Sequence, residues 1–148
     1  MKKILLISSL TLCLSPLFGQ HEVFVQSDEA IRGYDPVAYF KAGKPVKGKD
    51  EFTFTWKEAK WKFASEENMN AFKADPERFA PQFGGYCAYG MGDEDGHKSS
   101  TSPEAWTIVD GKLYLNYDTD VQKMWKANQQ EFIKNANKNW PRVKATND

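Results

Sequence analysis

The spacing of apolar residues along the chain switches between a helical and a strand period, and the switches fall at recognisable cap and turn residues. Gly33-Tyr34-Asp35-Pro36-Val37-Ala38-Tyr39-Phe40-Lys41-Ala42-Gly43 carries both ends of a short helix. Asp35 suits the N-cap, Pro36 the first helical position and Gly43 the left-handed residue past the last turn. Residues 44–50 are rich in Lys and Gly and read as loop. Phe52, Phe54 and Trp56 then alternate with Thr53 and Thr55, and a turn from Lys57 to Lys60 leads into Trp61-Lys62-Phe63. This period of two predicts a hairpin with one aromatic face. Ser65 is placed to cap a helix with Glu66 and Glu67 in its first turn, where the helix dipole favours acids, and Met69 and Phe72 on its inner side. Asp75-Pro76-Glu77 repeats the cap-and-proline signature and starts a short helical turn through Phe79.

Further on, Ala105-Trp106-Thr107-Ile108-Val109 and Lys112-Leu113-Tyr114-Leu115-Asn116-Tyr117 flank Asp110-Gly111. A two-residue Asp-Gly turn pairs Val109 with Lys112, Ile108 with Leu113 and Trp106 with Leu115, so Trp106, Ile108, Leu113 and Leu115 share one face. Thr119 and Gln122 have capping-box spacing. Val121, Met124, Trp125, Phe132, Ile133 and Ala136 mark one face of a long helix that Trp140-Pro141 closes. Hairpins interleaved with helices that need covering predict a single compact α+β domain with antiparallel β-hairpins, short helices and a long C-terminal helix packed on the sheet.

The chain has 148 residues, and its start changes how they divide. Lys2 and Lys3, an apolar run from Ile4 to Leu14, and Ser15-Pro16-Leu17-Phe18-Gly19 read as a secretory signal peptide at 1–19, leaving one domain at 20–148. Cys13 invites a lipoprotein reading, but Leu12 stands where a lipidation signal wants a small residue. No later stretch approaches the roughly 20 apolar residues of a spanning helix, so the expectation is an exported protein, periplasmic or secreted, with no transmembrane segment. Loss of Lys2 and Lys3 lowers the 20 basic residues to 18, against 20 acidic ones. That balance offers no basic face for nucleic acid. With Cys13 in the leader, Cys87 is the one cysteine of the mature chain and has no internal disulfide partner.

Four stretches are informative together: GYDPVAYF at 33–40, WKFASEEN at 61–68, DPERFAPQFGGYCAYGM at 75–91 and PEAWTIVDGKLYLNY at 103–117. In this order they resemble the secreted, extended branch of the YHS-domain family. The resemblance implies a fold shared with short modules that bind metal through cysteines. Carried over residue by residue, the cysteine of a DPVC pattern falls on Ala38, and those of a YFCSxxC pattern fall on Ala64 and Asn68. Alanine has no donor atom and asparagine is a hard, neutral ligand, so the implied thiolate site does not carry over.

The remaining soft donors are Cys87, Met91 and His97. Thiolate, thioether and imidazole suit copper, and Gly84, Gly85, Gly90 and Gly92 let the surrounding chain bend. These residues are the candidate metal site of a non-catalytic binding protein for copper, another soft metal or a small ligand. The plain alternative is a structural or interaction domain in which Cys87 fills the core, Met91 fills a gap and His97 lies on a surface loop. A thiol enzyme is a third reading, although Asp93, Glu94 and Asp95 oppose thiolate formation and only His97 and Lys98 favour it. Read as a calcium loop, the acidic turn fails at Met91 and Ser102, so it is expected to be a solvated loop. Tyr34, Asp35, Tyr86 and Tyr89 either line a pocket beside Cys87 or serve as a helix cap and core aromatics.

Overall fold

The computed structural model describes residues 22–147. The expected leader, Cys13 and the boundary at residue 19 lie outside the described residues. An N-terminal hairpin, β1 (Val25–Gln26) and β2 (Glu29–Ala30), leads through a 3-10 turn at Ile31–Gly33 to helix α1 (Pro36–Lys41). Strands β3 (Lys49–Trp56) and β4 (Ala59–Phe63), helices α2 (Glu66–Ala74) and α3 (Pro76–Phe79) and a 3-10 turn at Gln82–Gly85 follow. A single-turn helix α4 (Ala88–Met91) precedes the hairpin β5 (Trp106–Val109) and β6 (Lys112–Leu115) and the helices α5 (Thr119–Ala127) and α6 (Gln129–Val143). Four strands form one sheet in the order β1-β2-β4-β3, and β5-β6 forms another. The domain is a compact α+β fold. Among the described residues no helix is long and apolar enough to cross a membrane.

The local signals act as their chemistry requires. Asp35 caps α1, Pro36 opens it, and Gly43 adopts φ +65° beyond its end. The Ser65 hydroxyl accepts the Asn68 N–H at 3.1 Å to start α2. Trp106 pairs with Leu115, Ile108 with Leu113 and Val109 with Lys112. Several expected details differ. The β3–β4 turn uses only Lys57 and Glu58, both left-handed, so Ala59 and Lys60 already belong to β4. Asp118, one residue before Thr119, caps α5, and Gln122 donates instead to the Trp106 carbonyl and the Thr107 hydroxyl. The long C-terminal helix is broken at Asn128 (φ −141°, ψ 44°), while Pro141 sits inside α6. Phe132 and Ile133 are partly buried beyond that break, whereas Met124 is exposed. The principal partner of α6 is α4, not a sheet.

Two aromatic cores result. In the first, Phe72 meets Trp61 and Phe63 at ring-centre distances of 5.1 Å and Trp56 at 5.6 Å. The second contains Phe83, Tyr86, Met91, Tyr114 and Trp125. The β5–β6 hairpin stands between them: Leu113 and Leu115 enter the first core, and Tyr114 enters the second. Alternating side chains on opposite faces of one strand explain that division.

Candidate functional site

Asp35 does more than cap a helix. One carboxylate oxygen accepts the N–H groups of Val37 at 2.8 Å and Ala38 at 3.2 Å. The other accepts the Ala64 N–H at 2.9 Å and the Asn68 side-chain N–H at 2.8 Å. Ala38, Ala64 and Asn68, the positions onto which the resemblance would carry thiols, therefore meet around one fully buried carboxylate. Every group turned toward Asp35 is a donor, and a carboxylate that only accepts fixes the Asn68 amide with its nitrogen inward. A cation needs acceptors on its coordination sphere, so these residues do not fit a metal. They form a hydrogen-bonded lock joining α1, the end of β4 and the start of α2.

The glycine-rich stretch builds a second polar arrangement. Cys87 is the N-cap of α4, whose turn closes with the Met91 N–H donating to the Cys87 carbonyl at 2.9 Å. The Cys87 N–H donates to the Ser99 carbonyl at 3.0 Å. Asn116 supplies one oxygen to two donors, the Tyr89 N–H at 3.0 Å and the Cys87 thiol at 3.6 Å. Cys87 is only 2% exposed. Burial raises its thiol above the ordinary value of 9.0, outweighing the backbone N–H groups of Gly90, Tyr117 and Tyr89 that pull the other way. The group is therefore a neutral thiol at neutral pH, which opposes its use as a nucleophile.

Met91 is fully buried in the second core. Its carbonyl and that of Asp93 each accept from the Asn139 side chain at 3.0 Å, which ties the turn to α6. His97 is exposed, and its N–H donates to the Gly90 carbonyl at 3.1 Å. A Cβ on Gly90 would lie 3.0 Å from His97 Nε2, so the missing side chain makes room for the imidazole. The three candidate donors thus belong to one folded turn, with Cys87 and Met91 inside and His97 outside. Among the described residues, no cluster of three or more His, Cys, Asp or Glu side chains is arranged to hold a metal.

The neighbouring acids are exposed, and Asp93 Oδ1 accepts the Glu94 N–H at 2.9 Å, as expected of a solvated loop. Tyr86 donates its hydroxyl to the Val23 carbonyl at 3.4 Å, and Tyr89 packs on Phe132 with ring centres 4.5 Å apart. Among the polar residues that escape the sequence are Asn68, a partner of Asp35, and Asn116, the acceptor for Cys87. Their partners lie 33 and 29 positions away, and no local spacing connects them.

The YHS-domain family model matches residues 37–83. That span includes Ala38, Ala64 and Asn68 and stops before Cys87, Met91 and His97. Neither a curated protein nor a solved structure matches the chain.

Proposed function

We propose, on the premise that this chain is a YHS-domain protein, that it is an exported, non-catalytic binding module whose soft-metal chemistry is confined to Cys87, Met91 and His97. The family is associated with metal binding, and the leader pattern supports export. What supports the reading is the closed turn, in which the residues bearing thiol, thioether and imidazole lie within eleven positions of the chain and are tied by the Met91–Cys87 and His97–Gly90 backbone bonds. Copper(I) is the ion whose ligand preference this donor set suits. Because only a thiolate binds metal, uptake at Cys87 would release a proton and become stronger as pH rises.

Metal analysis of untagged protein, followed by copper(I) titration of wild type and Cys87→Ser, tests the proposal. Tight stoichiometric binding that is lost in the variant is expected. Equal, weak binding by both proteins removes the site.

A second reading rests on the burial of Cys87 and its bond to Asn116: a structural or interaction domain in which the thiol only packs. It predicts slow alkylation of the native protein near neutral pH and no metal dependence of its thermal transition. Rapid alkylation would instead revive the thiol-enzyme reading.

A further inference from the structure

Away from that turn, the β3–β4 hairpin meets the N-terminal arm and α6 around a cavity of about 130 Å³. Trp56 and Trp140 present part of their surface to it, and Phe83 and Trp61 are buried behind them. They are held firmly. Trp61 is fully buried and donates its indole N–H to the Trp56 carbonyl at 3.1 Å. The arm is fixed by the Phe24 N–H donating to the Gly84 carbonyl at 2.8 Å. It passes so close to Gly84 (φ +62°) that a Cβ there would lie 1.7 Å from the Glu22 carbonyl oxygen.

The rim carries charge. Lys57 lies 3.0 Å from a Glu22 carboxylate oxygen and 3.5 Å from one of Glu77, and its ammonium sits 4.8 Å from the centre of the Trp56 ring. Two carboxylates against one ammonium leave an excess of one negative charge. Aromatic faces attract cations through their quadrupole, and Lys57 already shows a cation satisfied by the combination present here. An anion would meet two carboxylates and an ammonium already neutralised by them. A neutral guest would use the aromatic walls and gain nothing from the rim. The volume is close to that of cavities that hold a benzene-sized molecule.

We propose that this cavity binds a compact organic cation, a quaternary ammonium or protonated alkylamine of about that size, and that Lys57 competes with it for Glu22 and Glu77. The site is independent of Cys87.

The test compares choline with its neutral isostere dimethylbutanol, following the indole N–H resonances by NMR in wild type, Glu77→Gln and Lys57→Gln. Choline should saturate these shifts at least about fivefold more tightly than the alcohol. Glu77→Gln should weaken choline about threefold, and Lys57→Gln should strengthen it about threefold by freeing both carboxylates. The side chains of Glu77 and Lys57 are 76% and 33% exposed, so the thermal transitions of both variants should stay near wild type. Equal affinity for alcohol and choline, weaker choline binding by Lys57→Gln, or no saturation by about 100 mM choline would overturn the proposal.

Discussion

Asp35 and Cys87 are both buried, but the Asp35 carboxylate takes four N–H donors, whereas the thiol donates to one side-chain acceptor, Asn116 Oδ1, and its sulfur faces the backbone N–H groups of Gly90, Tyr117 and Tyr89. A charge taken out of water must be met by strong bonds, whereas a thiol is a weak donor and weak acceptor whose bonds hold little. The first group therefore holds distant segments together, and the second settles into a turn assembled mainly by backbone bonds. The contrast also separates fold from chemistry. Within the region that the family model matches, Ala38, Ala64 and Asn68 are bound to a carboxylate, while the soft donors Cys87, Met91 and His97 lie beyond that match.

The sharpest way to break this contrast is Asp35→Ala. It abandons the donors of α1, of Ala64 just past β4 and of α2, and should cost about 4 kcal/mol in chemical denaturation. A loss below about 1 kcal/mol would mean that the lock is not structural.

Cys87→Ala should cost less, about 1–2 kcal/mol, because it opens a small gap and removes one weak bond. Its pH dependence sharpens the point. Burial raises the native pKa of Cys87 above 9.0 and those of Tyr39, Tyr86 and Tyr114 above 10.0. The unfolded chain thus releases these protons first, and their contribution to stability is full below pH 9 and lost as pH rises through the native values. Denaturation midpoints should fall above pH 9, and Cys87→Ala should reduce the earliest part of that fall. A fall of the same size in the variant would exclude the thiol as its cause. The smallest effect should come from His97→Ala, within about 0.5 kcal/mol of wild type by thermal melting, since the ring is exposed. A larger loss would show that the imidazole on Gly90 fastens the turn.

What the sequence reveals is mostly local. Asp35-Pro36 with Gly43, the Phe-Thr-Phe-Thr-Trp alternation and the Asp110-Gly111 hairpin each carry their signal within a few residues, and the structure follows them. The turn at Lys57 and Glu58 is less visible because two non-glycine residues adopt positive φ there. The break at Asn128 is hidden because apolar residues on both sides of it maintain a helical period. Asp35 shows its cap in the sequence but not its bonds to Ala64 and Asn68, and Cys87 gives no sign of Asn116. Those pairings depend on chain segments meeting in three dimensions, which a motif of neighbours does not encode.

The β5–β6 hairpin has one further consequence. Because Leu113 and Leu115 belong to one core and Tyr114 to the other, neither core can dissolve without stripping a face from the same two strands. The hairpin acts as a party wall, making loss of order on one side a loss of support on the other. Cooperative unfolding then follows from shared construction, even though the two halves differ so much in their polar chemistry.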